Sequence, residues 1–337
     1  MWFTLLLTTP PDTASLLPSE TAMSALHPQV QAMVDAMARM NIVPPESLTV
    51  AQAREQFRLV RAPFVAAAQE VGAVTNQTIP GPAGDIPIRT YRPLGSRPED
   101  KLPVLVYFHG GGWVFGDLNS HDPMCRELCN LAGCAVIAVD YRLAPEHKFP
   151  AALEDAIAAV RQVAHLAEDF AIDRTKIAIG GDSAGANLAA VAALTFRDQG
   201  GPQLKLQLLI YPVTDLAMDT SSYTQIANGF TLTRERMRYF RDAYLRDPDD
   251  VADWRASPLR APDLSNLPSG LIIGAAYDPL VDEGKAYADR LALTGVPVSY
   301  SCYEGMVHGF LSMAGAIDVA HAAIAEAAVA LKRAFQG

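Results

Sequence analysis

Short apolar runs and longer amphipathic stretches alternate along most of the chain. From residue 103 onward the runs read PVLVYF, AVIAVD, KIAIGG, LQLLIY, LIIGAA and PVSYSCY. Each has strand length, and near-continuous apolarity is what a strand covered on both faces shows. Between most of them lie segments with helical spacing, among them 150–168, 186–198 and 281–294. Strands and helices in turn predict a mostly parallel sheet flanked by helices, an α/β fold. Upstream the pattern differs. AVTNQTI and IPIRTYRP, joined by PGPAGD, alternate like two antiparallel strands. HPQVQAMVDAMARM has apolar positions at helical spacing, and SLTVAQAREQF opens on a serine suited to capping a helix. Pro44-Pro45 separates those two segments.

About sixty residues separate LLIY from LIIG, and they include FTLTRERMRYFRDAYLR. That is too long for one crossover helix, so an insertion is expected at about 214–250. The helices within 21–70 and this insertion are the natural parts of a helical cap over one end of the sheet, on a main domain of 71–337. Residues 1–20 contain MWFTLLLTTPPDTAS, which has a short apolar patch but no basic start and no clear small-residue cleavage site. They read as a loose extension, with a vestigial signal peptide as the alternative.

Composition narrows the classes. The chain has 337 residues, 50% of them apolar, enough for a sizeable core. A formal charge of −10 would repel a polyanion, which argues against nucleic acid or an anionic membrane surface as the main partner. No apolar run reaches the length of a membrane span. Cys125, Cys129, Cys134 and Cys302 fit neither CxxC nor a Cys/His zinc spacing. Cys125 and Cys129 would share a helix face as small core residues, and a reducing cytoplasm is the expected compartment. No metal site is expected.

The candidate chemistry begins where KIAIGG runs into Gly181-Asp182-Ser183-Ala184-Gly185 and then an Ala-rich helical pattern. Ligands of open parallel sheets bind at the carboxyl ends of the strands. A tight strand-to-helix turn there strains the serine and crowds its neighbours, so Gly181 and Gly185 would let Ser183 project alone. The helix behind it points its positive end at the hydroxyl. The competing reading is a helix-capping serine. A serine nucleophile needs a base, and the base an orienting acid, in the chain order Ser, Asp or Glu, His. Two histidines follow Ser183. His308 lies in YEGMVHGF after the last predicted strand, whereas His321 lies in a helical pattern, so His308 is the better base. Asp278, directly after LIIGAAY, is the favoured acid. Asp282 is its rival, but is better suited to capping the next helix. His109-Gly110-Gly111-Gly112-Trp113 follows PVLVYF and could turn several backbone N–H groups toward one oxyanion, with the Ala184 N–H as a further donor. A phosphate-binding loop is the alternative reading of those glycines, but no GK[ST] or GxGxxG accompanies them.

HGGGW, DYRLAPEHKFPAALED, GGDSAGANLAA, YDPLVDEG and MVHGF, in this order and spacing, closely resemble the hormone-sensitive-lipase-like family of α/β-hydrolases, and within it the bacterial and archaeal carboxylesterases with a GDSAG motif. The resemblance runs from about residue 25 to the C-terminus. It implies an α/β-hydrolase fold with a helical cap and hydrolysis of short- to medium-chain acyl esters without metal or organic cofactor. Ser183 would be the nucleophile, Asp278 the acid and His308 the base, with Gly111, Gly112 and Ala184 as oxyanion donors. DYRLAPEHKFP is usually structural in that family, so His147 is not expected to react. Ala186 stands where many relatives have a second glycine, a one-methyl departure. Amide or lactone hydrolysis by the same triad remains open, as does a non-enzymatic small-molecule receptor. Trp113, Phe230 and Met306 are candidate pocket walls, although an ordinary core position is the favoured role of each. A homodimer paired through sheet edges is a further expectation.

Overall fold

The computed structural model describes residues 25–227 and 230–337. The extension expected over 1–20 lies outside these. In the N-terminal part are α1 (Pro28–Ala38) and α2 (Val50–Arg61). There follow β1 (Ala73–Gly81), β2 (Gly84–Arg92), β3 (Leu102–Phe108), α3 (Asp122–Ala132), β4 (Ala135–Val139) and α4 (Ala151–His165). Next come β5 (Ile172–Asp182), α5 (Ala184–Gln199), β6 (Leu204–Ile210), α6 (Ser222–Gln225) and α7 (Arg234–Tyr244). The chain closes with β7 (Ser269–Tyr277), α8 (Val281–Leu293), β8 (Val298–Val307) and α9 (Val319–Gln336).

The eight strands form one sheet in the order β1-β2-β4-β3-β5-β6-β7-β8. β1–β2 and β2–β4 pair antiparallel, and every later pair is parallel. This is the mostly parallel, helix-flanked sheet expected from the alternation of strands and helices, and it fits the α/β-hydrolase fold that the motif resemblance implies. The first reversal is tighter than the PGPAGD loop suggested, because Gly81 pairs with Gly84 and leaves only Pro82-Ala83 between them.

Period-two alternation sorts the inner strands between two cores. In β3, Val104, Val106 and Phe108 face the core shared with α4, α5 and α8, while Leu105 and Tyr107 face the core shared with α3 and α9. Every residue of α5 from Ala184 to Phe196 is buried, as an all-round apolar helix requires. Cys125, Cys129 and Cys134 are free thiols buried in the second core, and burial pushes Cys129 up to about 12.

The cap of α2 differs from the expected one. Ser47 ends a short 3₁₀ turn, Pro45–Ser47, and Thr49 caps the helix. Thr49 wins because Gln52 stands at the third helical position and answers it in a reciprocal capping box.

The long β6–β7 connection carries α6, α7 and two 3₁₀ turns, Pro248–Ala252 and Pro258–Arg260. α7 turns Met237, Phe240 and Tyr244 inward, the three-and-four spacing of one helical face. Tyr244 stacks on Trp113 at 4.2 Å, and Phe240 meets Phe115 edge-on at 5.3 Å. Phe57 of α2 approaches the same Phe115 at 5.2 Å. The segment just before α4 ties both helices down. Arg54 of α2 clasps the Glu146 carboxylate at 2.8 and 2.7 Å and also donates to the Val114 and Ala144 carbonyls. Lys148 donates to the Asp242 and Leu245 carbonyls at the end of α7. His147 is exposed, in keeping with a structural role for its segment. Among the described residues no helix is long and apolar enough to cross a membrane.

Candidate active site

Strands β3, β5, β7 and β8 run parallel, so their carboxyl ends share one edge of the sheet. Ser183 occupies the single residue between β5 and α5, at φ 55° and ψ −117°. That region is nearly closed to side chains other than glycine. Its N–H donates to the Ile210 carbonyl, and its carbonyl accepts from Asn187 N–H in the first turn of α5. A Cβ at Gly181 or Gly185 would run into the Phe108 carbonyl oxygen, which explains the two glycines: β3 passes directly against the turn. Ala186 is fully buried in the first turn of α5 and is accommodated there.

His308 follows β8. Its Nε2 lies 3.0 Å from Ser183 Oγ and its Nδ1 2.6 Å from Asp278 Oδ2. Asp278 is fully buried just after β7, and its other oxygen accepts from Leu280 N–H at 2.9 Å. The His308 carbonyl accepts from Thr231 Oγ1 of the insertion at 2.7 Å. The three side chains singled out in the sequence thus form one hydrogen-bonded chain across 125 residues. The rivals are engaged elsewhere. Asp282 does not cap α8, whose capping position is Leu280. Its carboxylate instead holds Ser221 Oγ and Ser222 N–H, each at 2.8 Å, and so anchors the start of α6. His321 pairs with Glu127 of α3 at 2.7 Å.

The glycine loop sits beside Ser183. Gly111 and Gly112 take φ 122° and 62°, and the Gly111 carbonyl accepts from Val114 and Phe115 N–H, folding the loop on itself. Asp182, named in the sequence only as part of a motif, ties this loop to the serine turn. Its Oδ1 accepts from Gly110 N–H at 2.9 Å and Tyr107 Oη at 2.7 Å, and His121 Nε2 lies 3.2 Å away. Burial alone would raise this carboxyl, but His121, Tyr107 and Arg61 outweigh it and hold it below the usual carboxylate range. His109 stacks on Tyr141 at 4.4 Å, and its carbonyl accepts from Tyr141 Oη. Burial and the neighbouring His121 push His109 down to about 4, so it is neutral at pH 7. A tyrosine one residue before the end of an apolar strand, whose hydroxyl needs a partner once buried, was the available signal for Tyr107.

A pocket of about 50 Å³ holds Ser183, His308 and the glycine loop, closed by Phe57, Arg61, Leu232, Arg236 and Phe240. A cavity of about 160 Å³ adjoins it, sharing Phe57, Arg61, Thr231 and Arg236, and is walled by residues of α1, α2 and the insertion. Phe230 lines that cavity, whereas Trp113 and Met306 are buried in the cores and line neither space. A wider cleft of about 550 Å³ lies between α4 and the β1–β2 turn, away from the nucleophile.

A family model described as alpha/beta hydrolase fold matches residues 105–312. Carboxylic ester hydrolase LipN of Mycobacterium tuberculosis (strain ATCC 25618 / H37Rv) is 48% identical over 246 residues, 71% of this chain and 65% of LipN, so the match spans just under two thirds of that relative. Carboxylesterase NlhH of the same strain is 43% identical over 255 residues, 74% of this chain and 79% of NlhH. Among solved structures, the ester-hydrolase EH1AB1 from the metagenome of Lake Arreo superposes with a TM-score of 0.89 at 40% identity, covering 93% of this chain and 100% of that one. The esterase of Pyrobaculum calidifontis gives 0.87 at 41% identity, covering 92% and 99%. The resemblance read from the five motifs holds across the whole fold: the chain belongs to the hormone-sensitive-lipase-like carboxylesterases of the α/β-hydrolase family.

Proposed function

We propose that this chain is a serine carboxylesterase acting through Ser183, His308 and Asp278 on short- to medium-chain acyl esters. The observation that carries this is the unbroken path from Ser183 Oγ to His308 Nε2, and from His308 Nδ1 to Asp278. His308 takes the hydroxyl proton as Ser183 Oγ adds to the ester carbonyl, and Asp278 stabilises the imidazolium that forms. The oxyanion is received by the N–H groups of Gly111, Gly112 and Ala184, each contributing about 3 kcal/mol of transition-state stabilisation. His308 returns the proton to the departing alcohol. A water then attacks the acyl-serine, with His308 as base again, and releases the acid.

Residues 21–70 and about 214–250 act as a cap on the catalytic domain, and their side chains set acyl length. The 160 Å³ cavity they wall is small beside the roughly 300–1,000 Å³ of a drug-sized site, which suits modest acyl groups. Free thiols fit a reducing, cytoplasmic setting. A second copy would pair through a sheet edge, β1 or β8, and light scattering tests whether such a dimer forms.

The test is turnover of a chromogenic butyrate ester by Ser183→Ala. A loss on the order of 10⁶ in kcat, with an unchanged melting curve, is expected. Near-normal turnover by that variant would remove the assignment.

A further inference from the structure

Most arginines of this chain are matched to a carboxylate. Arg54, Arg89, Arg142, Arg246 and Arg260 each hold one at 3.1 Å or closer. Two that line the active-site pocket are different. Arg61, the last residue of α2, donates to Ser312 Oγ at 2.5 Å and lies over the Phe57 ring at 4.8 Å. Arg236, in the first turn of α7, uses its backbone N–H on Thr233, while its guanidinium has no hydrogen-bond or ion-pair partner among the described residues. No described carboxylate forms an ion pair with either one. Asp182 does act on Arg61 from a distance, but its oxygens already serve Gly110, Tyr107 and His121.

Three costs fall on Arg236 together. It is half-buried, it feels the like charge of Arg61, and it sits at the positive end of its own helix. Burial and Arg61 push its guanidinium below the ordinary value, opposed only by the unpaired Glu46. A desolvated charge with no paired counter-ion destabilises a fold. Two of them meet here from helices more than 170 residues apart in sequence. Both border the pocket that contains Ser183 and the cavity beyond it. The rest of that cavity is largely apolar, with Met37, Ile42, Val60, Phe115 and Met313 in its wall.

We propose that Arg61 and Arg236 form an anion-binding subsite, and that the preferred substrates are esters carrying a carboxylate a few methylenes from the scissile carbonyl. The inference deepens the esterase reading and rests on it. The apolar walls take the methylenes, and the two planar guanidinium forks take the carboxylate. Substrate charge then supplies the counter-ion the free site lacks.

The experiment compares mono-4-nitrophenyl adipate with 4-nitrophenyl hexanoate, equal in chain length and different in the terminal carboxylate. Wild-type kcat/KM is expected to be at least about tenfold higher for the adipate ester at low salt, with the preference shrinking as salt is added. Arg236→Gln and Arg61→Gln should each lower the adipate-to-hexanoate ratio about tenfold, mainly through KM, and Arg236→Glu should lower it further. The wild-type ratio needs no variant, so a misfolded mutant leaves the test intact. Hydrolysis of hexanoate with no preference for adipate overturns the subsite alone. Failure to hydrolyse either ester overturns the subsite and the esterase reading together.

Discussion

Ser183 keeps a backbone conformation that costs about 1–3 kcal/mol, and it is held there by β3 on one side and α5 on the other. At this scale much was legible. Strand context singled out Ser183, chain order singled out His308, and the residue after the β7 run singled out Asp278. Asp278→Asn is expected to lower kcat by about 10⁴, because the amide favours the wrong imidazole tautomer. Asp282→Asn should instead loosen Ser221 and Ser222 and leave kcat within about threefold, since its carboxylate serves α6. A larger kcat loss in the second variant, read in the same butyrate assay, would exchange the two assignments. The clamp at Asp182 was not legible. Its partners Tyr107, Gly110 and His121 stand 61 to 75 residues away, and only sheet register brings them to one carboxylate. Nor could a linear chain reveal that no described carboxylate pairs with Arg61 or Arg236, because that is a property of everything packed around them.

Helices and strands were easier to read than their ends. Apolar period located every strand of the parallel sheet, but the α2 cap fell on Thr49 instead of Ser47, a choice decided by Gln52 three residues on. The two cap segments could be located in the sequence, but their anchorage could not. Arg54 and Lys148 reach across 92 to 97 residues to Glu146 and the end of α7. Arg54→Ala breaks four hydrogen bonds from α2 to the main domain, one pair of them partly exposed to solvent. It should cost about 1–2 kcal/mol of stability and raise KM several-fold with a smaller change in kcat. Thermal melts and steady-state kinetics check it. A kcat collapse at constant KM would mean that α2 does not shape the binding pocket.

Across the whole molecule two buried carboxyls pull the pH dependence of stability in opposite directions. Asp182 is held below its unfolded value of about 3.9, so its contribution is complete above that pH and is lost as acid protonates it. Glu283, fully buried in α8, accepts from Thr214 and Asp215 N–H, yet burial raises it well above its ordinary value. The folded state therefore keeps its proton where the unfolded chain has lost it. Its contribution is present below about pH 4.3 and falls as pH rises toward the folded value. Glu283→Gln keeps the acceptor oxygen and removes that loss. Its stability relative to wild type should climb with pH above about 4.3, by at most about 1.4 kcal/mol per pH unit. Urea unfolding at pH 4.5 and 8 measures it, and parallel stability differences at the two pH values would exclude the assignment.

The Phe240 ring occupies the space that a Cβ on Gly112 would need, so α7 and the glycine loop share a single surface. Anyone rewriting the insertion to broaden substrate range is therefore also editing the floor of the reaction centre. Positions such as Glu235 and Arg238, which face solvent, can be randomised without that penalty. Libraries that include 237, 240 or 244 will mix changes in selectivity with changes in the chemical step, and the two can be separated only by determining kcat and KM for each clone.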